Sequence, residues 1–161
     1  MKPQIGIAEK DLEESIDILS TILSDEMTLY TKTRKFHWNV SGPSFMELHK
    51  LFQAQYTELE ATIDEVAERI NKLGGKTIGT MKEFIENTRL KESPDKYPKQ
   101  KEMITELLGD HESIIVHLRK DIEMCTEKNK DAGTTDFLQV LWNNTKPLLG
   151  YSGDTLIKFY F

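Results

Sequence analysis

Long runs of apolar residues at helical spacing constrain the fold of this chain most strongly. Over residues 9–36 the apolar positions recur at steps of three and four, which places them on one face of an α-helix. Similar stripes run through residues 45–73 and 99–127, a short helical segment fits residues 80–87, and no strand-like alternation is found. The pattern therefore predicts an all-α four-helix bundle with a short helix in the central connection. The first stripe consists of Leu12, Ile16, Leu19, Leu23, Met27 and Tyr30.

Breaks between these stripes set the expected helix ends. "SGPS" at residues 41–44 ends the first helix, and Ser44 is a candidate N-cap with Glu47 in the capping-box position. "LGGK" at 73–76 stops the second helix, and "KESPDKYP" at 91–98 reads as a loop. Thr134 or Thr135 is the expected cap of a last helix that begins near Asp136.

Composition limits the classes of function. The 161 residues fit one domain, residues 1–161, with a short N-terminal tail at 1–8. A net charge of −6 disfavours nucleic acid as a partner and suits metal cations. Cys125 is the single cysteine, so no disulfide forms within the chain, and a reducing cytoplasm is expected. Neither a signal peptide nor a membrane-spanning stretch is found, so we expect a soluble, unprocessed protein with no membrane partner.

Two histidines flank the first turn, and three polar residues follow them on the second helix. Taking His49 as the origin and about 100° per residue, Gln53 lies at about 40°, Asp64 at about 60° and Glu68 at about 100°. These side chains share a stripe, and His37 stands just before the turn. Oxygen ligands beside imidazole suit iron, manganese or zinc. Spacing alone leaves two alternatives open. The histidines could be structural residues, and the carboxylates could belong to a solvent-exposed face of the helix.

Distance along the helix decides how such a site could be built. His49 and Asp64 are fifteen residues apart, which corresponds to about 22 Å of helix. One chain cannot bring them to one metal, but two copies packed antiparallel around a two-fold axis could. The Glu-x-x-His motif of bundle-centred di-iron sites is absent, which makes an ordinary carboxylate-bridged site within one bundle improbable.

The stretch "KTRKFHWNVSGPSFMELHKLFQAQYTELEATIDEVAERINKLGG" resembles the signature of the Dps family, the starvation-induced mini-ferritins. The family pattern is HWNV-x-G-x-x-F-x-x-LH followed by D-x-x-AER-x-x-x-LGG. The resemblance covers residues 8–140 and implies a ferritin-like bundle that assembles into a hollow homododecamer. It also implies oxidation of Fe(II), preferably by hydrogen peroxide, storage of ferric mineral and protection from oxidative damage. The matching residues are His37, Trp38, Asn39, Gly42, Phe45, Leu48, His49, Asp64, Ala67, Glu68, Arg69 and Gly74.

The resemblance also implies roles for individual residues. His37 and His49 of one subunit would bind iron together with Asp64 and Glu68 of its mate, with Trp38 as a neighbouring electron or radical relay. Zinc could compete for that site. Asp131 and Asp136 fall where acidic residues can line an iron pore at the three-fold axis of the shell.

Gln53 departs from the family pattern, which usually has a carboxylate at this position. An amide is a weaker ligand for iron, so we expect one well-held metal per site and a looser second position, completed by water. The runner-up function is therefore a DNA-compacting structural protein with a weakened ferroxidase site. A short N-terminus and the net negative charge predict weak or absent DNA binding at neutral pH, and association with the nucleoid is left open.

The C-terminal segment departs further. Family members typically end in a stretch similar to LMEQHExxAWxLR, where this chain has "LWNNTKPLLGYSGDTLIKFYF". A shift of frame in one possible set of codons for residues 141–158 yields MEQHETIAWILRRYFN and a stop. Our hypothesis is that the atypical segment 142–161 is the product of a frameshift. If the segment is real, Pro147 and the glycines that follow predict a last helix that ends near Lys146.

Overall fold

A computed structural model of the chain describes residues 3–145, which are helical throughout apart from turns and loops. The predicted all-α bundle with a short helix in the central connection is confirmed. Most of the atypical C-terminal segment lies outside the described residues, so the predicted helix end near Lys146 and the frameshift hypothesis stay predictions. The helices are α1 (Glu9–Asn39), α2 (Phe45–Lys72), α3 (Met81–Asn87), α4 (Gln100–Glu123) and α5 (Ala132–Thr145).

The apolar stripes meet in one core between the four long helices. Leu19 and Leu29 of α1 are fully buried, as are Phe52 of α2, Leu118 of α4 and Leu138 of α5. Burying side chains of this size contributes roughly 1.5–3 kcal/mol each, which is why the stripe, and not local propensity, fixes these helices. α1 and α2 run antiparallel and pack along each other, so the end of α1 lies against the start of α2.

The first turn is built differently from the prediction. The Ser44 side chain makes no capping hydrogen bond, so the expected capping box with Glu47 is wrong. Instead, Gly42 adopts a φ of +114°, and the backbone N–H of Phe45 donates to its carbonyl at 3.1 Å. Glycine is suited to this conformation because it carries no Cβ. The turn is therefore closed by backbone atoms.

A complete capping box does form at the start of α3. The Glu83 N–H donates to Thr80 Oγ1 at 3.3 Å, and the Thr80 N–H donates to Glu83 Oε2 at 2.8 Å. These hydrogen bonds satisfy backbone donors that the first helical turn leaves free. The short helix in the central connection therefore has a locally encoded start.

The last helix begins four residues earlier than predicted. Its first turn is capped by Asp131, whose Oδ1 accepts the N–H of Thr134 at 3.0 Å, and α5 starts at Ala132 and not near Asp136. Before it, α4 runs into a single π-helical turn, Met124–Lys128, and Lys130 then takes a positive φ of 49°. The backbone N–H of Thr134 is therefore capped by Asp131, and Thr134 does not itself supply the cap.

Candidate metal centre

His37 and His49 lie face to face where α1 ends and α2 begins. Their ring centroids are 3.7 Å apart, with the planes inclined by 23°. His37 Nδ1 is 2.9 Å from the carbonyl oxygen of His49, and His49 Nδ1 is 3.0 Å from the carbonyl oxygen of His37. A carbonyl oxygen only accepts, so each Nδ1 carries a hydrogen, and in the neutral ring the lone pair then lies on Nε2. That is the tautomer in which imidazole binds a metal, with the second nitrogen oriented by a carbonyl.

Aromatic rings surround the histidine pair. Phe45 stacks on His49 with centroids 5.1 Å apart, and Tyr56 meets His37 edge-on at 5.2 Å. Trp38 lies beside them and is 66% exposed in the single chain. The pair is thus held on one side by apolar packing, while the predicted relay residue Trp38 stays accessible to a neighbouring subunit.

A second cluster next to the histidines was missed by the sequence reasoning. The guanidinium carbon of Arg34 lies 4.7 Å from the Tyr56 ring centroid, 5.4 Å from that of Tyr30 and 5.2 Å from that of Trp38. Its Nη1 also donates to Tyr30 Oη at 2.5 Å. Tyr30, Arg34 and Trp38 follow each other at four-residue intervals, and that spacing could have revealed the cluster.

The predicted carboxylate ligands lie far from the histidines of the same chain. α2 is continuous from Phe45 to Lys72, so Asp64 is about 22 Å along the helix from His49. Asp64, Glu68 and Gln53 are exposed, and Glu68 Oε2 pairs with Lys72 Nζ at 3.0 Å. Within residues 3–145, no three His, Cys, Asp or Glu side chains stand close enough to hold a metal ion. One chain therefore brings the two histidines together but not the whole predicted set.

The two predicted pore residues have different surroundings. Asp136 is exposed, whereas Asp131 is only 1% exposed. Asp131 Oδ1 accepts from Arg69 Nη2 at 3.3 Å, and Oδ2 accepts from the Thr134 hydroxyl at 2.6 Å. A Cβ on Gly133 would stand 2.7 Å from Arg69 Nη2, so the glycine leaves room for this contact. The carboxylate of Asp131 is thus committed to joining α2 to α5, and a pore role fits Asp136 better.

Two buried titratable groups, Glu26 and His111, line one pocket that also reaches exposed residues of the surface. A space of about 480 Å³ is lined by Glu26, Glu58, Glu65 and His111 among others. Burial, with a smaller contribution from Asp25, raises the pKa of Glu26 to about 8, and burial lowers the pKa of His111 to about 4. Both groups are mostly neutral at pH 7. Both side chains are buried, and the burial of Glu26 was not foreseen from the sequence.

Comparison with known proteins decides the family. Residues 16–145 match the ferritin-like domain family. "DNA protection during starvation protein 2" of Bacillus anthracis is 38% identical over 127 residues, which make up 78% of this chain and 85% of that protein. The chain belongs to the Dps family. The resemblance noted from the HWNV and AER motifs is thereby confirmed.

Other Dps-family comparisons agree in sequence and in fold. An uncharacterized low temperature-induced protein of Nostoc sp. is 38% identical over 134 residues, 83% of this chain and 75% of that protein. The crystal structure of the Dps protein from Vibrio cholerae O1 superposes with a TM-score of 0.85 at 26% identity, covering 92% of each chain. Dps from Thermosynechococcus elongatus gives 0.83 at 29% identity, covering 92% of this chain and 97% of that one. None of the helices in residues 3–145 has both the length and the apolar character that crossing a bilayer requires.

Proposed function

We propose that this Dps-family chain oxidises Fe(II), preferably with hydrogen peroxide, and stores the ferric product. The observation that carries the proposal is the reciprocal bonding of His37 and His49, which leaves two Nε2 lone pairs free on the family's own motif. The Vibrio cholerae relative is a member of a broad superfamily of ferritin-like diiron-carboxylate proteins, and its fold is the fold of this chain. Both points support an iron site here.

The proposed site is completed by a second subunit. An antiparallel pairing of two α2 helices would bring Asp64 and Glu68 of the partner subunit to the histidines, and the two-fold axis would create two equivalent sites. Twelve such subunits would form the shell around the mineral. Size-exclusion chromatography that shows only a monomer or an isolated dimer would contradict the shell.

In this proposal, iron is the substrate, and the protein supplies ligands and orientation. The two imidazoles bind Fe(II) as neutral nitrogen donors, and the carboxylates offset the charge that grows on oxidation. Two ferrous ions give up one electron each, and peroxide takes both electrons with two protons to form two waters. Trp38 directly follows His37 in the chain, so it would lie near the proposed iron site and could relay one of these electrons. Reduction of peroxide by two electrons avoids release of hydroxyl radicals.

Ligand chemistry suggests an unequal pair of iron positions. Gln53 lies one helical turn after His49 and is exposed. Its amide oxygen is a weaker donor than a carboxylate, so one iron should be held well and the second loosely, with water completing its ligands. Zinc should compete for the tight position because it binds the same imidazole and carboxylate donors.

Peroxide-dependent oxidation of Fe(II) tests this function directly. Anaerobically loaded protein should develop near-ultraviolet ferric absorption on addition of peroxide, and His37→Ala or Asp64→Ala should lose nearly all of that rate. Lys82→Gln on α3 is a suitable control, since Lys82 is highly exposed and its ion pair within residues 3–145 is with Glu86, away from the proposed site. Absence of oxidation in the wild-type protein, or full activity in His37→Ala, would contradict the proposal.

DNA compaction remains the second candidate. The Bacillus anthracis relative is named for DNA protection, and the weakened ligand Gln53 favours a role that does not depend on fast oxidation. The net charge of −6 opposes it. A gel-shift assay at moderate salt should therefore show weak or absent complexes, and tight complexes together with slow iron oxidation would favour this second function. We further propose a cytoplasmic location.

A further inference from the structure

One ligand of the proposed iron site already has a cation as its partner. Glu68 Oε2 lies 3.0 Å from Lys72 Nζ, which is a hydrogen-bonded ion pair. Lys72 is 64% exposed and Glu68 is 58% exposed in the single chain, so neither is fixed by burial. Asp64, the other proposed carboxylate, has no such cation among residues 3–145. The two carboxylates of the site are thus electrostatically unequal before any metal arrives.

The geometry of α2 keeps Lys72 beside Glu68. The two residues are four positions apart, with the glutamate on the N-terminal side, which is the favourable order for an ion pair on a helix. Lys72 is also the last residue of α2, where the helix dipole favours a positive charge. Both effects act together, so the ammonium group stays close to the carboxylate that iron would need.

We propose that Lys72 is a competing counter-ion of Glu68 that lowers the affinity of the interface site for divalent cations. This inference rests on the proposed function, because it takes Glu68 as a ligand. A metal ion that binds Glu68 displaces the ammonium and then stands within a few ångströms of a like charge. With neutral histidines and the neutral Gln53, the site carries two carboxylates and one ammonium, a net charge of about −1. The repulsion between Lys72 and the bound ion increases when Fe(II) becomes Fe(III).

Zinc binding to the assembled protein tests the role of Lys72 without any redox step. Titration calorimetry should show a zinc site in the wild-type protein that His37→Ala removes. Lys72→Gln should bind zinc about tenfold more tightly, because one unit charge close to a divalent ion is removed. Lys72→Arg keeps the charge and should stay within about threefold of wild type. Raising the salt concentration should shrink the difference between Lys72→Gln and wild type, since salt screens exposed charges.

A matched control is available on α3. Lys82 and Glu86 form another exposed pair four residues apart, with Nζ and Oε1 at 3.7 Å, so Lys82→Gln removes an equivalent charge away from the site. Its zinc affinity should equal that of wild type. An affinity of Lys72→Gln within twofold of wild type, with the His37-dependent site present, would overturn this inference alone. If the wild-type protein shows no zinc site that His37→Ala removes, that result would instead count against the proposed function.

Discussion

His37 and His49 orient each other, since Nδ1 of each ring is bonded to the backbone carbonyl of the other residue at 2.9 and 3.0 Å. The last turn of α1 and the first turn of α2 are thereby joined by two hydrogen bonds and a stacked ring pair. Neither ring can turn without breaking a hydrogen bond of its own. The Nε2 nitrogens that would bind a metal in the proposed site are therefore oriented within the single chain.

Mixed assemblies provide the sharpest check of a site shared between subunits. His37→Ala and Asp64→Ala should each be inactive alone. In randomly mixed shells, half of the two-fold pairs contain one chain of each type, and one of their two sites has intact residues from both chains. About a quarter of the wild-type peroxide-driven iron oxidation should return. If mixing restores nothing although mass spectrometry shows mixed shells, the histidines and the carboxylates do not share a site.

Replacing the neutral ligand should restore the second iron position. Gln53→Glu adds a carboxylate one turn after His49, and hard oxygen anions bind Fe(II) better than amides do. Anaerobic titration should show one tightly bound iron per site in wild type and two in the variant, with Gln53→Ala remaining at one. Two tight irons in the wild-type protein would show that the glutamine does not limit the site.

The buried Glu26 predicts a pH-dependent stability. Its pKa is raised from 4.5 to about 8, mainly by burial, so the folded state keeps a proton that the unfolded chain releases. The protonated carboxyl contributes its full stabilisation below pH 4.5. Between pH 4.5 and about pH 8 this contribution decreases by roughly 1.4 kcal/mol for each pH unit. Glu26→Gln should therefore gain stability relative to wild type as pH rises from 5 to about 8. Thermal unfolding across this range would show it, and a constant difference would contradict it. His111 is present in both proteins, so its opposite trend cancels.

Asp131 and Asp136 should separate into a structural residue and a pore residue. Asp131→Asn weakens the link to Arg69 and the cap of α5, and should lower stability by roughly 1–3 kcal/mol. Asp136→Asn should leave the free energy of unfolding within about 0.5 kcal/mol of wild type, because Asp136 is exposed. If Asp136 lines the pore, the same variant should slow iron uptake. Denaturation curves and uptake rates measured on both variants test the assignment. Unchanged uptake in Asp136→Asn would remove it from the pore.

The two capping positions offer a paired test of helix starts. Thr80→Ala removes the acceptor of the α3 capping box and should cost about 1 kcal/mol. Ser44→Ala should change stability by less than about 0.5 kcal/mol, because the Ser44 side chain caps nothing. Denaturant unfolding of both variants tests the comparison. An equal loss of stability in the two variants would mean that the Ser44 side chain stabilises the fold by an interaction other than a helix cap.

The sequence predicted what depends on periodic burial and missed what depends on distant partners. α1 and α2 were expected within about three residues of their observed ends, because a stripe of buried side chains fixes their length. The start of α5 was misjudged because the prediction placed the cap at Thr134 or Thr135, although Asp131 supplies it locally through the N–H of Thr134. The ion pair of Asp131 with Arg69, sixty-two positions away, is the part that no local pattern reports. The burial of Glu26 was overlooked because only the assembled bundle buries this residue. The role of the histidine pair as metal ligands stays a prediction, and its reciprocal bonding needed the geometry of the Gly42 turn.

That turn also limits which changes of sequence the proposed site can accept. Substitutions such as Gln53 alter one ligand and leave the rest, so the chemistry can be tuned step by step. A single inserted or deleted residue between Val40 and Ser44 would change the path of this turn and with it the position of α2 relative to α1, so the two rings would no longer meet. The segment should therefore tolerate little variation in length, and at Gly42, with its φ of +114°, little variation in residue identity.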